Sequence, residues 1–349
     1  MAAVGATQTF GTFEIPTPPS VPRDIVVGPD GSFWFTEPGT SYSTGLDQIG
    51  RVTLDGRFTE FPVPTQGGRP SGIAVGPDGN LWFTELEAGK IGRITPAGEI
   101  TEYSLPAGSS YPRHIVAGAD GSLWFTKLPP GIGRITTEGV ITQFSVPSND
   151  VLDAITLGPD GNVWFTDWAS RIGRITPSGE ILEFSLPTPA SFPLGIAAGP
   201  DGNLWFTEFD GHRIGRITPA GVITEFPRLT FPRNEPIAIT SGSDGNMWFT
   251  ERSSIGRITV DGQITQFPLP TNLNTPLGIT SGPDEALWFT ALELETDFIG
   301  RITTGAGPLP TPTPTPVSGP PIPVPTSSAL ALGVFAFGLV VSALHLIRC

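Results

Sequence analysis

The sequence predicts an all-β chain folded as a seven-bladed β-propeller, and three observations predict it. A Trp-Phe-Thr triplet recurs at Trp34, Trp82, Trp124, Trp164, Trp205, Trp248 and Trp288, with gaps of 48, 42, 40, 41, 43 and 40 residues. Self-similarity at that period is the signature of a propeller or a solenoid. Each repeat divides into four short β-rich runs separated by turn residues, the content of one four-stranded blade. Trp82 and Phe83 are adjacent, so they point to opposite faces of one strand. Both faces are therefore buried, as in a sheet stacked between two others.

The second repeat illustrates the four runs. Gly72-Ile73-Ala74-Val75 leads through a Pro-Asp-Gly-Asn turn into Leu81-Trp82-Phe83-Thr84. Ile91-Gly92-Arg93-Ile94-Thr95 follows, then a Pro-Ala-Gly turn and Ile100-Thr101-Glu102-Tyr103-Ser104-Leu105. Asp-Gly pairs between such runs are hairpin signals. The first run is built from small residues in every repeat, which suits the crowded strand nearest the axis. The first three runs occur in seven copies. The seventh repeat lacks the outermost run, and Gly11-Thr12-Phe13-Glu14-Ile15-Pro16 supplies a matching one at the other end. The sequence thus predicts that residues 10–16 pair with 299–303 and close the ring.

The 349 residues divide into a short N-terminal stretch, 1–9, read as disordered; a propeller, 10–304; a proline-rich linker, 305–326; an apolar segment, 327–347; and a tail, 348–349. The linker holds nine prolines and reads as an extended, semi-rigid spacer. The 21 uncharged residues of 327–347 span roughly 31 Å as a helix, enough for a bilayer core. They read as a transmembrane helix that tethers the propeller by its C-terminus. Spacer, helix and terminal arginine look like the sorting signals of exported bacterial proteins, placing the propeller outside the cytoplasm. Residues 1–9 offer no secretory signal, which leaves an inward-facing propeller as the alternative. The propeller itself reads as a monomer.

Net charge is −14, with 17 Arg and 2 Lys. Nucleic acid, which demands a basic footprint, is excluded. Cys349 is the only cysteine, so no disulfide forms within the chain.

Loops between the second and third runs and between blades vary, and variable loops on a rigid scaffold carry function. The site is therefore expected on the face bearing residues 85–90 and 66–71, near the channel mouth, where a small molecule or a protein would bind. The row that closes the Trp-Phe-Thr run is Glu37, Glu85, Lys127, Asp167, Glu208, Glu251 and Ala291. Acids of this row could hold a divalent cation through oxygen ligands, with Glu85, Glu208 and Glu251 and, before Pro236, Glu235 as the candidate set; the alternative is that the row caps strands or pairs with nearby arginines. The seven arginines of Ile-Gly-Arg-Ile read as structural partners of the outer-strand row Glu14, Glu60, Glu102, Glu183 and Glu225. Trp168, the one tryptophan outside the repeat position, either stacks on a ligand or covers a neighbouring loop. His212, Arg113 and His114 complete the ligand-facing candidates.

The repeat Gly-Pro-Asp-Gly-Asn-Leu-Trp-Phe-Thr-Glu…Ile-Gly-Arg-Ile-Thr-Pro resembles that of the virginiamycin B lyase family over residues 10–304. The resemblance implies a seven-bladed propeller. It also implies a carbon–oxygen lyase that opens a cyclic depsipeptide at its ester by elimination, using Mg²⁺, carboxylates and a histidine base. The family's base stands between the Pro and Gly that open a late blade, with a carboxylate closing the Trp-x-x-Glu run of that blade. The corresponding lead-in positions here are Arg23, Ser71, Arg113, Asp153, Leu194, Ile237 and Leu277, and the last acidic position is Ala291. His114 lies one position off and is the single displaced candidate for the base. A binding module without the family's histidine is the expected function, with a Mg²⁺-dependent streptogramin lyase as the alternative. A metal-dependent hydrolase of the lactonase type, built on the acidic row, is a third reading.

Overall fold

The computed structural model describes residues 8–304 except 18, 40–45, 107–110, 228, 230–234, 271–273 and 293–295. The linker, the apolar segment and the tail lie outside the described residues. Among the described residues no helix is long and apolar enough to cross a membrane.

Seven four-stranded antiparallel sheets form the blades of a propeller. In the second blade the strands are Pro70–Val75, Leu81–Glu85, Lys90–Ile94 and Ile100–Ser104, from the axis outward. The seventh blade takes its outermost strand from Phe10–Glu14, which pairs with Phe298–Thr303 in the register Phe10↔Ile302 to Glu14↔Phe298. The ring closes as the missing outer run predicts, with one end of the chain completing the blade begun by the other.

All seven repeat tryptophans are at most 1% exposed. Trp82 packs against blade 3, beside Ile115, Leu123 and Phe125, whereas Phe83 packs against blade 1, beside Trp34 and Ile49. The two faces of one strand thus fill two inter-blade cores, as their adjacency demands. Gly92 sits opposite Phe83 because a Cβ there would lie 2.0 Å from the ring.

The repeat arginines are structural, but their partners differ from the expected ones. Arg93 lies opposite Trp82 and Thr101, while Glu102 lies opposite Gly92. Directly opposed residues share a face and the next residue takes the other, so Glu102 and Arg93 point apart. The guanidinium groups instead lie over the repeat indoles, with Arg51 at 5.5 Å from Trp34 and Arg216 at 5.3 Å from Trp205. In six blades they reach the aspartate of the turn between the first and second strands. Arg51–Asp30 is 2.8 Å, Arg301–Asp284 is 2.7 Å and Arg216–Asp201 is 3.2 Å. The same aspartate accepts the indole N–H, at 3.0 Å from Trp82 Nε1 to Asp78 Oδ1. The turn residue therefore does more than turn: it anchors the tryptophan and its covering cation.

The triplet's threonine links the blades. Thr84 Oγ1 accepts from the N–H of Gly72 in its own blade at 2.9 Å and donates to the carbonyl of Arg113 in the next at 2.6 Å. The pattern repeats in every blade, from Thr36 to Ser71 and on to Thr290 with Arg23. The acceptors are the seven lead-in positions, so the repeat fixes the backbone of the ring lining the channel.

Candidate functional site

The innermost strands surround an axial cavity of about 830 Å³, a volume suited to a small molecule. All seven lead-in residues line it. Their order divides the wall. Arg23, Ser71, Arg113 and Asp153, from blades 1 to 4, make a polar arc, and Leu194, Ile237 and Leu277, from blades 5 to 7, make an apolar one.

A second row stands just before the blade-opening prolines. Arg69 precedes Pro70 with φ +54°, and Val21, Phe192 and Thr275 occupy equivalent places with φ of +49°, +55° and +47°. A left-handed non-glycine residue is strained and persists only where its surroundings over-determine it. The device brings Arg69 to the mouth of the cavity beside Val21 and Tyr111.

The polar arc is an ionic cluster. Arg113 donates through Nε to Asp153 Oδ1 at 3.0 Å and pairs through Nη2 at 2.9 Å. His114 Nε2 is 3.6 Å from the same oxygen. Burial raises the pKa of Asp153, but Arg113 first and His114 second outweigh it and leave the carboxyl below its usual value. The Trp168 indole N–H favours that carboxylate without reaching good hydrogen-bond geometry. Asp24, across the side-chain-free Gly72, is pushed up by burial against the pull of His114, although it accepts the N–H of Ile73 at 3.0 Å. Arg69 pairs with Glu87 at 3.5 Å. Arg23 makes no ion pair and no side-chain hydrogen bond among the described residues. Burial foremost, then Arg69 and Arg113, lower its pKa to about 10. It is half-buried and lines the cavity.

The structure thus gathers Arg113, His114 and Trp168 from the candidate set at one cavity. Trp168 is not an exposed platform: it is 6% exposed, stacked against Phe192 at 4.3 Å and covered by Arg113 at 5.3 Å. The neighbouring-loop reading describes it, with Arg113 as its cap. His212 lies on the turn after Glu208, φ +52°, outside the cavity lining.

The acidic row does not meet at the axis. Glu85 shares a face with Phe83, so it is turned into the interface with blade 1; Glu208 and Glu251 repeat this in their own blades. All three are fully buried. Both Glu85 oxygens lack a hydrogen-bond partner among the described residues. Burial, then Glu102, pushes its pKa up to about 8, and burial with Glu225 pushes Glu208 up to about 7. Glu235 pairs with Arg252 at 2.7 Å. Among the described residues no three His, Cys, Asp or Glu side chains are grouped to hold a metal ion.

Arg23, Arg69 and Asp24 were not singled out from sequence as ligand-facing. The available signal was position: each stands within two residues of a blade-opening proline.

The model of the virginiamycin B lyase family matches residues 1–152 and 148–318. The chain belongs to that family. Among solved structures, a streptogramin B lyase is 39% identical, with a TM-score of 0.78 over 85% of this chain and 97% of its own. Virginiamycin B lyase from Staphylococcus aureus is 40% identical, with a TM-score of 0.78 over 85% of this chain and 99% of its own. A putative gluconolactonase, 18% identical with a TM-score of 0.53 over 86% of this chain and 93% of its own, shares the fold alone. Among curated proteins, none matches the sequence closely enough to count as a relative.

The Mg²⁺ that virginiamycin B lyase family membership implies does not fit the residues present. Ala291, fully buried among Leu269, Phe298 and Ile302, replaces the acid of the last blade. Glu251, in the blade before, is turned into an inter-blade interface and not to the axis; its Oε2 accepts from Ser254 and, at 2.6 Å, from Gln266, and its Oε1 has no partner among the described residues.

Proposed function

We propose that this member of the family is a non-catalytic, ligand-binding propeller whose axial cavity receives a small molecule, held at a membrane by residues 327–347 with the propeller outside the cytoplasm. One observation carries the reading. The seven positions that line the cavity, among which the family's resemblance places its base, hold Arg, Ser, Arg, Asp, Leu, Ile and Leu, and no histidine. Elimination needs a base within reach of the proton it removes, and fold alone supplies none.

A second reading is favoured by His114, which lines the cavity 3.6 Å from Asp153. In it His114 removes the proton beside a depsipeptide carbonyl. The test is to incubate the purified chain with a streptogramin B and Mg²⁺ and to follow linearised product by mass spectrometry. No product is expected. Turnover that disappears in His114→Ala would overturn the non-catalytic reading. The tether is checked by fractionation: the full chain should sediment with membranes, and a chain ending at residue 304 should not.

A further inference from the structure

Three guanidinium groups converge on one side of the cavity while the opposite wall is bare hydrocarbon, and nothing in the lyase reading uses this asymmetry. Resting on the binding reading above, we propose that the cavity takes an amphiphilic monocarboxylate, its carboxylate on Arg23 between Arg69 and Arg113 and its apolar body against Leu194, Ile237 and Leu277.

Pairing, not net charge, singles out one cation. Asp153 is matched by Arg113 and Glu87 by Arg69, at 2.9 and 3.5 Å. Asp24 spends both oxygens on backbone N–H groups, those of Ile25 and Ile73. Of the three arginines, only Arg23 has neither an ion pair nor a side-chain hydrogen bond among the described residues. An unspent, half-buried guanidinium repelled by two others gains from an anion. Its planar fork matches a carboxylate through two parallel hydrogen bonds. A dianion such as a phosphate monoester would bring a second charge to a place where the other two guanidinium groups are already paired. The rest of the ligand must then be apolar, because the far arc offers no donor or acceptor side chain at its lead-in positions.

The strained Arg69 supports the same placement. A φ of +54° before proline is kept at a cost, and of the four residues that share this conformation only Arg69 uses it to set a cation in the cavity lining. Binding would relieve the mutual repulsion of the three arginines, which a neutral ligand cannot do.

Two sources share this chemistry: a free acyl chain and the C-terminus of a short apolar peptide. Isothermal titration of the full chain with decanoate, decanol, an N-acetylated apolar tripeptide with a free carboxylate and the same N-acetylated tripeptide amidated separates them. Decanoate or the free tripeptide should bind at least ten-fold tighter than its neutral counterpart, and whichever arm does so names the source. Arg23→Gln should lower that affinity at least ten-fold with an unchanged melting temperature. Arg57→Gln, on an exposed turn paired with Asp55, should leave it unaltered. Leu277→Asp should abolish binding by placing a second anion on the apolar wall. Equal binding of acid and neutral probe, binding of neither acid, or an unaffected Arg23→Gln overturns the proposal. Streptogramin turnover alongside intact carboxylate binding would sink only the non-catalytic reading; absence of both would sink only this one.

Discussion

The hydroxyl of Thr290 donates to the carbonyl of Arg23 at 2.7 Å, and this contact joins the last blade to the first across 267 positions of sequence. Arg23 is also the unpaired cation of the cavity. The repeat that builds the scaffold therefore holds, at its seam, the backbone of the residue on which binding is proposed to turn.

Thr290→Val keeps the shape and removes the hydroxyl. It leaves the Gly278 N–H, which reaches Thr290 Oγ1 at 3.0 Å, dependent on the Arg23 carbonyl alone, also at 3.0 Å. The expected loss is about 1–3 kcal/mol, the cost of a buried hydrogen bond unmade, read by urea denaturation. A variant as stable as the parent would show the seam to be held by other contacts.

Gly72→Ala tests the approach between blades 2 and 3. The added Cβ would stand 2.7 Å from His114 Cα and 2.8 Å from the Arg113 carbonyl, both backbone atoms that cannot swing aside. Destabilisation of about 1–3 kcal/mol is expected from such overpacking. A displaced Arg113 should lower carboxylate affinity as well, so melting temperature and titration should fall together.

Trp168→Ala should cost about 3–5 kcal/mol, as for other large buried aromatics. It removes the contacts with Phe192 and the indole beneath Arg113. Thermal unfolding checks this; a loss within a few tenths of a kcal/mol would return Trp168 to the exposed-platform role.

Stability should fall as pH rises from about 5 to 8. Glu85 titrates near 8 in the folded chain against 4.5 when exposed. Between those values the unfolded chain has released a proton that the folded chain keeps, so raising the pH favours unfolding. Glu208, near 7, and Glu37, raised by burial, act in the same direction. Asp153 and Asp30 are shifted down, and the stability they confer is lost only below the window, as pH drops through the ordinary carboxylate range. Calorimetry should give a lower melting temperature at pH 8 than at pH 5, and Glu85→Gln should flatten the difference. A melting temperature that climbs over this range would count against buried, protonated carboxyls.

The ring, its seven blades and its closing strand were legible because Trp82 and Phe83 repeat with both faces apolar, a pattern few architectures satisfy. The partner of Arg93 was misread because the register that sets Glu102 against Gly92 is not written in spacing. Thr84 was passed over because it seemed part of a packing motif; its presence in all seven copies was the sign of a hydroxyl used in every blade. The acidic row looked like a ring because its members recur at one position. Recurrence puts residues at one height in the ring, and strand alternation then decided that Glu85 faces a neighbouring blade and not the axis. His114 and Arg113 were visible as blade-opening residues, whereas their meeting with Asp153 depends on how adjacent blades nest.

The closing strand also settles where the ring can be gripped. Thr9 and Thr303 bond to each other, and the Thr304 hydroxyl reaches the Glu285 carbonyl in an Asp-Gly-type turn, on the face opposite the blade-opening prolines. Both ends of the propeller chain thus leave from the perimeter of one blade and from the underside. The arginine-lined mouth therefore opens on the face opposite the one where both described ends of the propeller lie.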